Sequence, residues 1–91
     1  MQILLIEDDE SVATFIKQGF EERGDSIRLE MSGADGLRSA QAGGYDALVI
    51  DRMLPEMNGM EIIRSLRDAG DATPVLILSA LGEVGDRIDG L

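Results

Sequence analysis

Carboxylates follow two apolar runs of this chain, and they are the side chains best suited to chemistry. Glu7 and Asp8 come directly after the run 3–6, and Asp51 comes directly after the run 47–50. If both runs are strands of one parallel sheet, the carboxylates meet at the edge where open α/β proteins place their sites. Oxygen ligands of this kind suit a hard divalent cation, and a carboxylate there can accept a phosphoryl group.

The order of apolar runs and helical patterns predicts the elements that hold these residues in place. The predicted strands are 3–6, 27–31, 47–50 and 75–78, and the predicted helices are 12–24, 32–44, 59–69 and 82–91. The last helix is weak, because Gly82, Gly85 and Gly90 lower its helix propensity. The alternation predicts an α/β fold with a parallel sheet, right-handed crossovers and helices on both faces.

Composition excludes several kinds of site. The 91 residues form one domain at most, and 44% of them are hydrophobic, which is enough for a core. There are no cysteines and no histidines, so disulfides, thiolate metal sites and the usual zinc ligand are excluded. The net charge of −10 disfavours contact with nucleic acid or anionic membranes. Because neither a long apolar stretch nor a signal-peptide pattern is present, we expect no membrane insertion and a cytoplasmic location.

Four short pieces of the chain, in order, resemble the receiver domain of two-component response regulators. They are Ile6 to Asp9, Asp51 to Pro55, the pair Asn58-Gly59 and the pair Ser79-Ala80. The residues 51–55 and 81–91 are most similar to the OmpR-type subfamily, whose members carry a winged-helix DNA-binding domain after the receiver. The resemblance implies a three-layer α-β-α fold, flavodoxin-like or CheY-like, with a parallel sheet of strand order 2-1-3-4.

Receivers of this family continue with a fifth strand, a lysine that pairs with the phosphoryl group, and a fifth helix. The only lysine of this chain is Lys17, in the first predicted helix, so the catalytic lysine has no counterpart. We therefore expect residues 1–91 to be a single truncated receiver domain without the fifth strand, the fifth helix or the DNA-binding effector domain. We also expect 75–78 to be an unpaired apolar edge, covered by a homodimer partner or an exchanged strand.

The resemblance also implies a role for each residue of the site. Asp51 would be the phosphoacceptor, phosphorylated by a sensor histidine kinase. Glu7, Asp8, Asp51 and the backbone carbonyl of Met53 would hold Mg²⁺, and Ser79 would be the switch hydroxyl that bonds the phosphoryl oxygens. The module would then control an effector domain that regulates transcription, and DNA would be contacted only through that domain.

Two other functions are open on the residues alone. One is a stand-alone or shortened receiver that acts by protein–protein interaction, which the sequence beyond Leu91 would distinguish. The other is a Mg²⁺-dependent aspartyl-phosphate phosphatase of the haloacid-dehalogenase type, which needs an aspartate two residues after the nucleophile as general acid. Met53 stands at that position, so we expect the chain not to be an enzyme.

Overall fold

The structure is a computed structural model, and it describes residues 1–78 and 87–89. Helices and strands alternate along this part of the chain. In order they are β1 (Gln2–Ile6), α1 (Glu10–Glu22), β2 (Ser26–Glu30), α2 (Gly33–Ala42), β3 (Ala47–Asp51), α3 (Gly59–Asp68), β4 (Val75–Leu78) and β5 (Arg87–Asp89).

Within the described residues the strands form one sheet of order β2-β1-β3-β4-β5, and the first four strands run parallel. The predicted α/β fold and the strand order 2-1-3-4 are therefore confirmed. β1 pairs with both β2 and β3, and Ile6 of β1 lies opposite Ile50 of β3. This register sets the residues that follow Ile6 beside the end of β3.

The last strand corrects the predictions of a helix over 82–91, of a sheet without a fifth strand and of an unpaired edge at β4. Residues 87–89, expected in a helix spanning 82–91, form β5, which pairs antiparallel with β4; the rest of that predicted helix lies outside the described residues. Backbone groups along the β4 edge gain hydrogen bonds from this pairing, whereas the glycines of the segment disfavour a helix. The edge of β4 is thus paired with residues of the same chain. The unpaired edge, which was the reason to expect an exchanged strand, is not found at β4.

The two faces of the sheet carry separate apolar cores, because successive side chains of a strand point to opposite faces. One core joins α2 and α3 to residues such as Leu4, Ile6 and Leu48. The other joins α1 to Ile3, Leu5 and Val49 of the opposite face. Strands that are covered on both faces explain why the runs 3–6 and 47–50 are continuously apolar.

The helices begin at polar caps that the sequence signals. The Asp9 carboxylate accepts a hydrogen bond from the Val12 amide at 3.1 Å, and the Ser32 hydroxyl accepts one from the Asp35 amide at 3.1 Å. On α1 the predicted apolar pattern is only partly buried, since Phe15 is 78% exposed. Among the helices of residues 1–78, none has the length and hydropathy needed to cross a bilayer.

Candidate functional site

The sheet register brings carboxylates from two strand ends to the same level. Ile6 pairs with Ile50, so Glu7 and Asp51 are the next residues of neighbouring parallel strands. The Glu7 amide continues the ladder by donating to the Glu30 carbonyl at 3.0 Å, and this bond fixes the backbone beyond β1. Glu7 and Asp51 therefore occupy the carboxyl edge of the sheet, where the sequence predicts the site.

Three carboxylates form the cluster at this edge. Glu7, Asp8 and Asp51 each offer one oxygen, and these oxygens all lie within 4.8 Å of one another. Glu7 is 3% exposed and Asp51 is 8% exposed, while Asp8 is open to solvent. The cluster thus has a buried floor and one accessible ligand at its rim.

Backbone amides orient the two buried carboxylates. The Asp9 amide donates to Oε2 of Glu7 at 3.1 Å, and the Met53 amide donates to Oδ1 of Asp51 at 3.1 Å. Each carboxylate therefore has one oxygen held by the chain that follows its strand. The sequence did not single out these two amides, because such a bond depends on the path of the chain after the strand.

The charges of the cluster repel one another, and burial adds to the cost. Burial raises the pKa of Glu7 from 4.5 to about 7; the Asp9 amide opposes this rise, and the neighbouring carboxylates of Asp51 and Asp8 add to it. None of the ion pairs formed within residues 1–78 includes a residue of the cluster. Among residues 1–78 the negative charge of the site therefore has no ion-pair partner, which is the condition that favours a bound cation.

The loop that joins Asp51 to α3 contains the Met53 amide that bonds Asp51. Its far end is a complete capping box, in which the Asn58 side chain accepts from the first turn and the Glu61 carboxylate accepts from the Asn58 amide. At its middle, the Met57 amide donates to the Pro55 carbonyl at 2.7 Å across Glu56, whose φ is +68°. This three-residue γ-turn with a positive central φ is rare and strained for a residue with a side chain.

The structure places the other predicted site residues as follows. Met53 lies two residues after Asp51, its amide donates to the Asp51 carboxylate, and the residue is 63% exposed. The role of its carbonyl stays a prediction. Ser79, the predicted switch hydroxyl, lies outside the described residues. Lys17 lies on α1, as expected from its position in the chain.

This arrangement has the components of a phosphoryl-accepting carboxylate site. Clustered carboxylate oxygens can hold a hard cation. A carboxylate fixed by a backbone amide can act as a nucleophile toward phosphorus when the cation offsets the charge of the donor.

Comparison with known proteins gives a family that spans nearly the whole chain. The response regulator receiver domain family matches residues 3–91. The transcriptional regulatory protein CusR of Escherichia coli is 37% identical over 91 residues, which are 100% of this chain and 40% of CusR. The probable transcriptional regulatory protein SilR of Salmonella typhimurium is 41% identical over 91 residues, again 100% of this chain and 40% of that protein. The chain thus spans well under half the length of these curated relatives.

Among solved structures, the receiver domain of the Francisella response regulator 1452 superposes with a TM-score of 0.84. It is 37% identical in sequence, and the superposition covers 91% of this chain and 69% of that one. The likeness therefore holds in backbone path as well as in sequence.

Proposed function

Because this chain belongs to the response regulator receiver domain family, we propose that it is the phosphoacceptor module of a two-component system, phosphorylated on Asp51. The observation that carries the proposal is the cluster of three carboxylates, with Asp51 buried beside Glu7 at the carboxyl edge of the sheet. A sensor histidine kinase is the proposed phosphodonor, and Glu7, Asp8, Asp51 and the Met53 carbonyl are the proposed Mg²⁺ ligands.

The proposed reaction needs little from the protein beyond position and charge. A carboxylate oxygen of Asp51 attacks the phosphorus of a phosphohistidine, the P–N bond breaks, and the released imidazole nitrogen keeps the electron pair of that bond. The Met53 amide donates a hydrogen bond to Oδ1 of Asp51, and Oδ2 takes no part in this bond. Asp51 therefore meets the donor in a fixed orientation, which lowers the entropic part of the barrier.

The donor set fits Mg²⁺. Three carboxylates lie within 4.8 Å of one another, with no ion-pair partner among residues 1–78. Bound there, Mg²⁺ would supply a positive charge for the oxygens of the incoming phosphoryl group. Glu7 and Asp8 would hold it from the end of β1, and Asp51 and the Met53 carbonyl would hold it from the end of β3.

The consequence of phosphorylation is proposed from the relatives. CusR and SilR are named as regulators of transcription, so we propose that phosphorylation of this module controls an effector segment that acts on DNA in the cytoplasm. An aspartyl phosphate adds roughly −1.5 to −2 of charge and three acceptor oxygens. Ser79 is the proposed donor to one of these oxygens, and a homodimer is the proposed output state.

Intact-mass measurement after incubation with Mg²⁺ and acetyl phosphate tests the proposal. We expect the wild-type chain to gain the mass of one phosphoryl group and Asp51→Asn to gain nothing. Asp9→Asn is the matched control, because Asp9 is next to Asp8 in sequence, its carboxylate caps α1, and asparagine caps a helix as well as aspartate does. The control variant should be labelled like the wild type.

Two results would contradict the proposal. Labelling that persists in Asp51→Asn would place the acceptor elsewhere. A wild-type chain that is folded by circular dichroism, binds Mg²⁺ and still gains no mass would show that the three carboxylates do not suffice for the reaction.

A further inference from the structure

We propose that Gly59 is a positioning residue for Asp51, and that its lack of a side chain sets the orientation of the phosphoacceptor carboxylate. Gly59 is buried at the first position of α3, and α3 follows the loop that begins at Asp51. The proposal rests on the proposed function and adds a residue that packs against the backbone around the acceptor. The sequence predicts no chemistry for the pair Asn58-Gly59, which contributes only to the family resemblance.

Contact distances at Gly59 leave no space for a β-carbon. A β-carbon built there would lie 2.6 Å from the carbonyl oxygen of Asp51, 3.0 Å from Cγ2 of Ile50 and 3.1 Å from Cα of Arg52. Two of these three atoms are backbone, and they belong to Asp51 and to the residue that follows it. A methyl group at residue 59 must therefore move the backbone at the end of β3, because no flexible side-chain end is available to give way.

A hydrogen bond also links Gly59 to the backbone that follows Asp51. The Gly59 amide donates to the Arg52 carbonyl at 3.1 Å, which closes the loop from 52 to 59 into a ring. Inside this ring the chain is already strained, since Glu56 has a φ of +68° at the centre of its γ-turn. A closed and strained loop cannot absorb a displacement locally, so a shift at residue 59 is passed to the other end of the ring.

The other end of the ring holds the carboxylate. The Met53 amide, next to Arg52, donates to Oδ1 of Asp51 at 3.1 Å. Moving the backbone at 52 and 53 therefore lengthens or bends this bond and rotates the Asp51 carboxylate away from its present direction. Attack on phosphorus needs near in-line alignment, so a rotation of this kind lowers the maximal rate of transfer.

Gly59→Ala is the test, and it is made in a Gly19→Ala background. The Gly19→Ala variant alone is the control, because it makes the same glycine-to-alanine change at a helical position where no atom lies within 4 Å of a β-carbon. Alanine at residue 19 also strengthens α1, so the second substitution starts from a more stable protein. Gly33 is unsuitable as a control, because a β-carbon there would press at 2.8 Å on Cβ of Met57, which lies inside the loop 52–59.

Two readouts separate position from stability. The first is the rate of phosphorylation by acetyl phosphate at saturating donor and Mg²⁺, well below the melting temperature. We expect a loss of about tenfold or more for Gly59→Ala and a change within about twofold for Gly19→Ala alone. The second is the carbon-13 resonance of the Asp51 carboxylate in metal-free protein, which should shift in Gly59→Ala and stay in place in Gly19→Ala alone.

The outcomes distinguish this proposal from the proposed function. If the wild type is phosphorylated and Gly59→Ala matches it in rate and in the Asp51 resonance, the positioning role is wrong and the phosphoacceptor role stands. If the wild type takes no phosphoryl group, the resonance still decides whether Gly59 orients Asp51. Failure of Gly59→Ala to fold in the stabilised background would overturn the proposal, because the glycine would then serve the fold instead of the carboxylate.

Discussion

Replacing Glu7 by glutamine should stabilise the metal-free protein above pH 7 and leave its stability unchanged below pH 4.5. The pKa of Glu7 is raised in the folded state, so the folded protein binds this proton more tightly than the unfolded chain does. As pH rises through this interval, the folded state must give up a proton that it holds strongly, and the free energy of unfolding falls. Glutamine keeps the shape of a protonated glutamate without this cost.

The magnitude follows from the shift. The pKa rises from 4.5 to about 7, and each unit corresponds to about 1.4 kcal/mol, so the effect is at most about 3 kcal/mol at high pH. The amide of glutamine can accept the bond from the Asp9 amide and donate toward Asp51, so no buried group loses its partner. The pKa values of Glu30 and Asp71 are lowered by hydrogen bonds, mainly from Ser39 and Thr73 respectively, and their stabilisation is lost only as pH falls below the unfolded-state pKa. Those contributions are common to both proteins and cancel in the difference.

Urea denaturation at a series of pH values from about 4 to about 8, with a chelator present, measures the effect. The difference in unfolding free energy between Glu7→Gln and the wild type should be near zero at the acid end and should grow until about pH 7. Glu21→Gln, on the exposed surface of α1, is the control and should show no such trend. A difference that is the same at both ends of the series, or a variant that is less stable than the wild type at high pH, would refute the reasoning. Added Mg²⁺ should stabilise the wild type more than the variant, because the variant has lost a ligand.

Two further substitutions test the ends of α3. Asn58→Ala should lower the unfolding free energy by about 1 kcal/mol, because the capping box is lost, whereas Asn58→Asp should be near neutral. Urea titration with an unchanged m value measures both variants, and an alanine variant as stable as the wild type would contradict the prediction. Arg67→Lys should cost about 1 to 2 kcal/mol in thermal or urea unfolding, because the guanidinium donates to the carbonyls of Asp71 and Thr73 at 2.8 Å each and an ammonium cannot span both. An equal loss in Arg64→Lys, which is exposed on the same helix, would show that these two bonds contribute nothing specific.

The sheet and the meeting of the carboxylates were predictable because their signals are local. Runs such as 3–6 and 47–50 are apolar at every position, which is typical of parallel strands covered on both faces. Once β1 and β3 are parallel neighbours, the residues that follow them must share an edge, so Glu7 and Asp51 meet. The helix ends were readable for a similar reason, since caps such as Asp9 act within one turn.

The remaining features depend on contacts between distant residues. β5 forms because the edge of β4 is available to pair, and the sequence of 87–89 alone does not predict this pairing. The raised pKa of Glu7 depends on how deeply its side chain is buried. The alternation of side chains between the two faces of a strand does not predict this burial, because Glu7 lies just past the end of β1. The crowding at Gly59 is visible only when α3 is docked on β3. The exposure of Phe15 likewise depends on which elements pack against α1.

The pairing of β1 with β3 also has a consequence for folding kinetics. Glu7 and Asp51 are far apart in sequence, with β2 and two helices between them, so their repulsion appears only when these two central strands dock. Non-local pairing of this kind is the slow part of folding, because loop-closure entropy is lost before the contacts form. We therefore expect repulsion within the charge cluster to raise the free-energy barrier to docking β1 against β3. Protons or divalent cations that neutralise the cluster should then speed this docking.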